Sequence, residues 1–376
     1  MNKHHVLLVD EHVDGKAVSQ FYDAMKQDFV VSGALMPDAH AGYTLPIGSA
    51  ILTQGVIVPS YVGYDIGCGM LACETSLKRE QIEDHLDKIK ADILDMIPVG
   101  FSHRKTPVKS DAIYYGKMFN EIYNDGGKLQ LGTLGGGNHF IEIGYGSDSC
   151  VWIVIHSGSR NIGHKIATHY MSIASGTDKA KEGHYPLELE SEHGRAYMSE
   201  LDSCCIFALE NRRSMLIDII ASITRTCDVR FTSRAIINKL HNFVVKPSFL
   251  KRGEAEGKLV HRKGATSANL SELGVIPGNL RDGTYVVRGL GSVDHLNSCS
   301  HGAGRVYSRA KAKELFTLDD FNKAMSGHEI VCNIGTNNID ESPMAYKDIA
   351  SVVDMQVKAR LIEVVQIIKP MLNIKG

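Results

Sequence analysis

Short apolar runs and longer amphipathic stretches alternate along the chain, and the apolar runs lead into loops rich in glycine and histidine. The runs 29–35, 151–155 and 285–287 are compact and strongly apolar, which predicts buried strands. Apolar positions at helical spacing predict helices over 78–97, 162–174, 193–226, 318–325 and 345–368. The mixture predicts an α+β fold whose loops converge on one central pocket.

The composition is that of a soluble globular protein with a sizeable core, since 43% of the 376 residues are hydrophobic and 22% are charged. No proline- or serine-rich linker, charge block or repeat divides the chain, so we predict one domain over residues 1–376. The apolar runs are shorter than the ~20 residues of a membrane span, and residues 1–10 do not resemble a signal peptide. We therefore expect a cytoplasmic protein without a membrane contact. A net charge of -2 argues against a uniformly basic surface that binds polyanions non-specifically.

Five loops carry side chains suited to binding a metal ion. One loop holds Asp65 and Cys68 among glycines, where both can face one ion. The other four carry one histidine each: His139, His156, His241 and His301. A carboxylate, a thiolate and several imidazoles suit a borderline transition metal, and zinc is the first choice on ligand chemistry alone. Five candidates exceed the four ligands of a typical zinc ion, which indicates two ions or a shared ligand. A single histidine is more often structural, so the hypothesis depends on the loops converging.

A second pattern, at residues 298–309, is suited to phosphate chemistry. His301 precedes small, glycine-flanked residues that let the backbone approach phosphate oxygens, and Arg305 and Arg309 can each offer a bidentate fork. The chain has no P-loop signature and no Lys-x-Asp-Gly motif, which surrounds the nucleophilic lysine of the usual nucleotidyl-transferring ligases. A nucleotidyl transferase built from this chain would need another nucleophile, and histidine can serve.

Several further motifs are long or unusual. They are Met-Pro-Asp-Ala-His-Ala-Gly at 36–42, Pro-Ile-Gly at 46–48, Asp-Ile-Gly-Cys-Gly-Met at 65–70, Gly-Asn-His-Phe-Ile-Glu at 137–142, His-Ser-Gly-Ser-Arg at 156–160, His-Asn at 241–242, His-Arg-Lys-Gly-Ala at 261–265, His-Gly-Ala-Gly-Arg at 301–305 and the terminal Lys-Gly. Their content and order resemble those of the RtcB family of RNA ligases. The resemblance extends from about residue 36 to the last residue.

The resemblance implies a ligase dependent on GTP and manganese that joins an RNA 3′-phosphate or 2′,3′-cyclic phosphate end to a 5′-hydroxyl end, through an RNA-ppG intermediate, in RNA repair or tRNA splicing. It implies that His301 becomes guanylylated and that Asp38 orients it. It also replaces zinc by two manganese ions, bridged by Cys68. The implied metal ligands are Asp65, Cys68, His139, His156 and His241. The implied guanylate-binding residues are Asn138, His139, Phe140, Ile141, Glu142, His241, Asn242, Pro277, Gly278, Asn279, Leu280, Thr284, His301, Gly302, Ala303, Gly304 and Lys375.

The chain also departs from the family pattern. Most relatives carry Ser-Met-Gly-Thr where residues 279–282 read Asn-Leu-Arg-Asp, and Tyr64 replaces the usual valine. Arg281 would keep the selection of GTP, loosen it, or form a salt bridge with a neighbouring acid. These differences indicate a shorter, divergent branch. Some such branches are linked to a release-factor-like protein, a link that the sequence leaves open, and we expect a monomer.

RNA contact is expected from basic side chains, of which Arg160, Arg262 and Arg309 rank first because they lie inside motifs. The other candidates are Arg104, Lys105, Lys165, Lys263, Lys311 and Lys313. Four further histidines are expected to be structural or to lie behind the metal ligands rather than to bind the metal themselves: His40, His103, His164 and His261. Two alternatives remain open, a metal-dependent phosphoesterase acting on RNA ends and a non-catalytic RNA-binding relative.

Overall fold

Strands form two main sheets in the computed structural model, which describes residues 3–10, 13–251 and 253–376. The strands are β1 (His4–Leu7), β2 (Val30–His40), β3 (Ile47–Gln54), β4 (Val56–Ile57), β5 (Gly69–Lys78), β6 (Phe140–Tyr145), β7 (Cys150–Ser157), β8 (Leu187–Glu188), β9 (Ser233–Leu240), β10 (Asn242–Val245), β11 (Lys258–Lys263), β12 (Ala265–Ser267), β13 (Leu273–Pro277), β14 (Thr284–Gly289), β15 (Ser298–Ser300), β16 (Val331–Cys332) and β17 (Ile362–Lys375). The helices are α1 (Gly15–Met25), α2 (Leu86–Met96), α3 (Lys117–Asn124), α4 (Arg160–Ser175), α5 (Glu192–Cys227), α6 (Arg309–Leu315), α7 (Leu318–Met325) and α8 (Ile349–Lys358). The predicted α+β fold is confirmed.

The larger sheet has the strand order β13-β14-β17-β6-β7-β5-β9, and β16 adds to β17 in parallel. Its central strands are antiparallel, and β7 is buried at every position because both faces of the sheet are covered. One face packs on α2 and α5 through an apolar cluster that includes Ile153, Ile89 and Ile219. The edge strands β9 and β13 approach each other, so the sheet curls around a second, smaller core.

The smaller sheet has the order β1-β2-β3-β11-β10, with β2 and β3 buried along most of their length. Helix α1 covers part of it through Phe21 and Met25. The short pair β12 and β15 is antiparallel, with Ala265 opposite Ser300. This pairing places the residue after β15 beside the turn that follows β11.

Helix α5 is the longest element of the described chain, with 36 residues, and much of it is buried. The hydroxyl of Ser191 caps its start by accepting the backbone N–H of Gly194, and the helix ends at Asp228 in a left-handed conformation. Within the described ranges, no helix combines the length and the apolar character needed to cross a membrane.

The predicted elements agree with the structure except at two places. The strands predicted at 29–35, 151–155 and 285–287 lie in β2, β7 and β14, and the helices predicted at 162–174, 193–226 and 318–325 are α4, α5 and α7. The helix predicted over 78–97 was too long, because β5 extends to Lys78 and short 3-10 turns precede α2. The helix predicted over 345–368 was wrong beyond α8. Arg360 adopts a left-handed φ of 56°, and the β-branched run after it pairs with β14 instead.

Candidate metal and nucleotide site

Sheet register brings four candidate loops to one end of the larger sheet. Gly69, the first residue of β5, lies opposite Ser157 of β7 and Leu240 of β9. Phe140, the first residue of β6, lies opposite His156. The residues that flank these strand ends are therefore neighbours, and they carry Cys68, His139, His156 and His241.

The candidate metal ligands, called here the metal cluster, are arranged around the sulfur of Cys68. Its Sγ lies 3.5 Å from Nε2 of His139 and 3.2 Å from Nε2 of His156. On one side, Oδ2 of Asp65 is 3.0 Å from Nε2 of His139. On the other side, Nε2 of His241 is 3.3 Å from Nε2 of His156. The thiol lies in the middle of the row, where two metal ions can share it.

The outer nitrogens of two histidines fix which nitrogen faces the cluster. Nδ1 of His139 is 2.9 Å from the carbonyl oxygen of Leu134, and Nδ1 of His156 is 3.1 Å from that of Asn138. A carbonyl oxygen only accepts hydrogen bonds, so both Nδ1 atoms are donors, and Nε2 is the nitrogen of each ring that is left for a metal beside Cys68. Two Nε2 atoms so close to one sulfur favour a bound cation, and the donor set fits a divalent transition metal.

Burial also shifts the pKa values of the side chains in the metal cluster. Burial raises the pKa of Asp65, but the hydrogen bond and charge of His139 outweigh it, and the net pKa lies below the usual value. Burial raises the pKa of the Cys68 thiol well above its usual value. It lowers the pKa values of His156 and His241 well below 6.5. Both imidazoles are therefore neutral at physiological pH, which is the form that binds metal.

Helix α5 and one glycine hold the cluster loops in place. Asn211 accepts the backbone N–H groups of Gly132 and Thr133 and donates to the carbonyl oxygen of Gly158. The fully buried Arg212 donates to the carbonyl oxygens of Gly67 and Ser157. At Gly158 a β-carbon would overlap the carboxylate of Asp65, so glycine is required for this close approach.

His301 and Asp38 form a second constellation beside the metal cluster. Oδ2 of Asp38 lies 2.7 Å from Nδ1 of His301 and accepts the backbone N–H of His301 over 3.1 Å. Burial raises the pKa of the fully buried Asp38, but the hydrogen bond and charge of His301 outweigh burial. The net pKa lies below its usual value, so the carboxylate is ionised. An ionised acceptor requires Nδ1 to be the donor, so in the neutral ring Nε2 is the nitrogen that carries the lone pair. The ring centroids of His301 and His241 are 4.8 Å apart, which joins the two constellations.

A first cavity of about 700 Å³ opens between His301 and the metal cluster. Most of the residues predicted to bind guanylate line it: Asn138, Phe140, Glu142, Pro277, Gly278, Asn279, Leu280, His301, Gly302, Ala303, Gly304 and Lys375. Gly304 has a left-handed φ of 76°, and a β-carbon there would overlap the backbone of Asp38. His40 also lines the cavity, and burial lowers its pKa to about 4, so this ring is neutral.

Two charged side chains at this cavity differ in their partners, since Lys375 is bonded to other residues and one oxygen of Glu142 is not. Oε1 of the buried Glu142 has no hydrogen-bond partner among the described residues, and burial raises the pKa of this carboxyl to about 7. Lys375 is bound by Glu341 at 2.7 Å and by the carbonyl oxygen of Asn138 at 3.2 Å. Its ammonium also lies 5.1 Å from the ring centroid of Phe140. Glu142 is therefore a buried carboxyl that lines the cavity with one oxygen lacking a partner among the described residues.

Comparison with known proteins identifies the family of this chain. The family model described as tRNA-splicing ligase RtcB matches residues 20–122 and 114–376. The chain belongs to the RtcB family. It is similar to the RNA-splicing ligase RtcB of Escherichia coli (strain K12), with 35% identity over 97% of this chain and 95% of that protein. It is also similar to the tRNA-splicing ligases RtcB of Methanococcus maripaludis, at 27% identity over 91% and 87% of the two chains, and of Thermococcus kodakarensis, at 26% identity over 96% and 94%.

Some residues expected from the RtcB resemblance to contact guanylate lie outside the first cavity. His139 and His241 belong to the metal cluster. Ile141 is a core residue, because its position on β6 alternates with the cavity-facing Phe140 and Glu142. Asn242 links two loops, donating to the carbonyl oxygen of Asp65 at 3.1 Å and accepting the N–H of Gly264 at 2.8 Å. Thr284 is fully buried with an unpartnered hydroxyl.

Residues 279–282, where the sequence differs from the pattern expected for the RtcB family, form a turn held mainly by its own side chains. Oδ1 of Asn279 accepts the backbone N–H groups of Arg281 and Asp282, and its Nδ2 donates to Asp282 at 2.7 Å. Arg281 pairs with Asp282 at 2.7 Å and does not line the first cavity. Arg281 therefore forms the salt bridge with a neighbouring acid that was one of the three roles predicted for it.

Several arginines expected at phosphates are already bonded within the protein. Arg305 and Arg309 both reach Glu341, and Arg309 also pairs with Asp340 at 2.7 Å. Arg262 is buried and donates to Ser298 and to backbone carbonyl oxygens, so its expected contact with RNA was wrong. Arg160 donates to Thr133 and Gly100 but still lines a second cavity.

Some residues that support the RtcB site were not predicted from the sequence. Tyr346 and Asn373 line the first cavity, Glu341 binds its lining residues Lys375 and Arg309, and Asn211 and Arg212 hold the metal loops. The signal for Asn211 and Arg212 is an adjacent polar pair within a helix that is otherwise strongly buried. Glu341 and Tyr346 have no local signal, because their partners lie far away in the sequence.

Proposed function

We propose that this chain is a GTP-dependent RNA ligase that joins RNA 3′-phosphate or 2′,3′-cyclic phosphate ends to 5′-hydroxyl ends, in RNA repair or tRNA splicing. The observation that carries the proposal is the position of His301. Its Nδ1 is held by Asp38, its Nε2 is free to act as a nucleophile, and its ring lies 4.8 Å from that of His241 in the metal cluster. The similar proteins of Escherichia coli and Methanococcus maripaludis are RNA-splicing and tRNA-splicing ligases by name, which supports RNA as the substrate.

Two manganese ions fit the metal cluster. Asp65 and His139 would hold one ion, His156 and His241 the other, and Cys68 would be shared, because its sulfur lies between the two histidine pairs. Bound manganese would supply positive charge that offsets the negative charge of the phosphates during transfer. Carboxylate and imidazole ligands are compatible with this metal.

The first cavity suits a guanine nucleotide. Guanine presents N–H donors on its Watson–Crick edge, and the unpartnered carboxylate oxygen of Glu142 is a matching acceptor. Adenine lacks a comparable pair of donors, so Glu142 would favour GTP over ATP. Gly302 to Gly304 leave room for the α-phosphate beside His301.

Each transfer in the proposed reaction forms one bond to phosphorus and breaks another. Nε2 of His301 attacks the α-phosphorus of GTP, an N–P bond forms, and pyrophosphate leaves. An oxygen of the RNA 3′-phosphate then takes GMP from His301, which regains its lone pair, and RNA-ppG results. The RNA 5′-hydroxyl attacks the terminal RNA phosphorus in line, its proton passes to solvent, and GMP leaves. A cyclic phosphate end first adds one water.

We also assign the ligase to one domain over residues 1–376, since distant parts of the chain share strands. The C-terminal β17 pairs with β6 and β14, and β11 pairs with β3. The active pocket combines residues from β2, β6 and the loop after β15. A fragment lacking either end would lose part of the site.

Labelling with [α-³²P]GTP in the presence of Mn²⁺ tests the nucleophile. We expect label to remain on the denatured protein, to be lost in His301→Ala and to persist in His169→Ala, an exposed histidine control. ATP run in parallel should label weakly. Absence of covalent label, with phosphate still released from RNA ends, would instead support a metal-dependent phosphoesterase.

A joining assay tests the whole reaction. A 3′-phosphate RNA and a 5′-hydroxyl RNA should be joined with GTP and Mn²⁺, and a 3′-hydroxyl RNA should not. RNA binding without either label or joining would mean that the chain is a non-catalytic relative.

A further inference from the structure

A second cavity reaches the metal cluster through other ligands than the first. Asp65 and His139 line the second cavity, whereas His156 lines the first. The second cavity encloses about 1330 Å³ including its open mouth, so a polymer end can enter it from solvent. The two cavities therefore offer separate approaches to the same metal cluster.

Aromatic rings line the second cavity. The half-buried Tyr64 and the exposed His164 both line it and stack on each other, with ring centroids 5.0 Å apart and an interplanar angle of 21°. Phe101 lines it as well and is fully exposed. Large apolar rings usually lie inside a protein, so the exposure of Phe101 beside this stacked pair marks a binding surface.

A cation lines the same cavity next to the metal cluster, since a guanidinium nitrogen of Arg160 is 3.5 Å from Nδ1 of His139. Arg160 lines the second cavity, begins α4 with a left-handed φ of 59°, and donates to the Thr133 hydroxyl at 3.2 Å and the Gly100 carbonyl oxygen at 3.0 Å. A non-glycine residue in this conformation is held there by its surroundings, which is common at functional sites. Planar rings next to a fixed guanidinium match an unpaired nucleotide, whose base stacks and whose phosphate is anionic.

We infer that the second cavity binds the first nucleotide of the RNA strand that carries the 5′-hydroxyl, unpaired, with its base stacked on the Tyr64–His164 pair or on Phe101. The inference rests on the proposed ligase function. The in-line step requires the attacking hydroxyl and the departing GMP on opposite faces of the phosphorus. Because GMP occupies the first cavity beside His301, the attacking strand enters by the other route to the cluster, beside Asp65.

Base removal tests the inference. Two RNAs are joined in the presence of GTP and Mn²⁺, with either a natural or an abasic first nucleotide on the 5′-hydroxyl strand. Loss of stacking on an aromatic platform should lower kcat/KM about tenfold for the abasic strand. An abasic last nucleotide on the 3′-phosphate strand serves as the positional comparison. Binding is measured separately, without GTP, by quenching of 2-aminopurine at the first nucleotide.

Variants of the aromatic residues test which ring stacks on the base. Removal of the ring that carries the base, by Tyr64→Leu or by Phe101→Leu, should abolish most of the abasic penalty and the quenching, whereas Tyr64→Phe, which keeps the ring, should retain both. Tyr115→Leu is the matched control, because Tyr115 is exposed and lines neither cavity. A wild-type protein that joins natural and abasic strands equally well would overturn the inference, as would an unchanged penalty in Tyr64→Leu, His164→Leu and Phe101→Leu.

The readouts separate this inference from the proposed function. If the wild type neither takes label from GTP nor joins RNA, the ligase function fails, and quenching that depends on Tyr64 would still locate the nucleotide in the second cavity. If the wild type is labelled and joins RNA but does not quench 2-aminopurine, the ligase function stands and the second cavity is not the base site.

Discussion

Asp38 and His301 are held together at two points, although 263 residues separate them in the sequence. The same carboxylate oxygen accepts the ring Nδ1–H over 2.7 Å and the backbone N–H over 3.1 Å. The first bond selects the ring tautomer, and the second fixes the position of the backbone from which the ring extends. Together they direct Nε2 of His301 towards the first cavity.

Asp38→Asn should therefore slow the formation of guanylylated protein. An amide can keep the backbone bond, but it lacks the charge that favours the Nδ1–H tautomer and offsets the positive charge on the attacking ring. Comparable changes in catalytic triads lower rates by about 10²–10⁴-fold, and we expect a fall in this range. The rate of ³²P transfer from [α-³²P]GTP to the denatured protein measures it.

Asp294→Asn is the control for this prediction. Asp294 also pairs with a histidine, His4, at 3.3 Å, but both side chains are mostly exposed. We expect label at the wild-type rate in this variant. Wild-type labelling in Asp38→Asn, at an unchanged melting temperature, would show that Asp38 does not orient the nucleophile.

Cys68→Ala should lower the manganese content below that of any single histidine variant. Its sulfur is within 3.5 Å of both His139 and His156, so both proposed ions lose a ligand at once. We expect at least a tenfold weaker affinity for each ion, since even residues that only orient metal ligands contribute about 10–100-fold. Manganese per chain is measured by elemental analysis after gel filtration. Cys227→Ala, outside the cluster, should keep the wild-type content, and two ions retained in Cys68→Ala would contradict a shared thiolate.

Local patterns predicted the metal loops because neighbouring strands carry them. His139, Cys68, His156 and His241 flank ends of β6, β5, β7 and β9, and antiparallel pairing brings those ends together. The strand runs are apolar enough to be recognised from the sequence. The convergence of these loops follows from strand order, which the sequence alone does not specify.

Long-range pairings could not be predicted in the same way. The run after Arg360 has helical spacing and strand-forming residues at once, and its pairing with β14 and β6 decides in favour of β17. Glu341 lies in a segment with no periodic pattern, yet it binds cations from two other parts of the chain. Such contacts depend on the completed fold rather than on local sequence.

Glu341→Gln should destabilise the protein strongly. Glu341 is buried against Arg305, Arg309 and Lys375 and also accepts the hydroxyl of Tyr346. Replacing the carboxylate leaves the buried ammonium of Lys375 without its carboxylate partner, and breaking a buried ion pair in this way typically costs about 3–5 kcal/mol. Urea unfolding at pH 7 measures the loss. Glu314→Gln, which removes an exposed partner of Lys311, should change the free energy of unfolding by less than about 1 kcal/mol.

The contribution of Glu341 to the free energy of unfolding should decrease at acidic pH. Burial raises the pKa of Glu341, but the nearby Lys375, Arg309 and Arg305 outweigh it and lower the pKa to about 2. A carboxyl with a lowered folded-state pKa stabilises the fold above its unfolded value of 4.5, and the contribution is lost as the pH falls towards 2. The difference between wild type and Glu341→Gln should therefore shrink below pH 4.5, and a constant difference would contradict this charge-based account.

Glu142 should have the opposite pH dependence. Burial raises the pKa of this carboxyl to about 7 from 4.5, so between these values the unfolded chain loses a proton that the folded chain retains. Stability from this group is complete below pH 4.5, falls as the pH rises to 7, and is lower by up to about 3 kcal/mol above it. Glu142→Gln removes this penalty. We expect the variant, without GTP or metal, to gain stability relative to the wild type at pH 8 and to gain little at pH 4.5.

Urea unfolding at both pH values measures this gain, with Glu363→Gln as an exposed control that pairs with Arg288. The same variant should label poorly with [α-³²P]GTP, because an amide cannot offer two acceptor oxygens to the guanine edge. Higher stability at pH 8 combined with weaker labelling would identify Glu142 as a carboxylate kept for nucleotide binding at a cost to the fold. If the difference in free energy of unfolding between Glu142→Gln and the wild type is the same at both pH values, Glu142 ionises in the folded protein as it does in the unfolded chain.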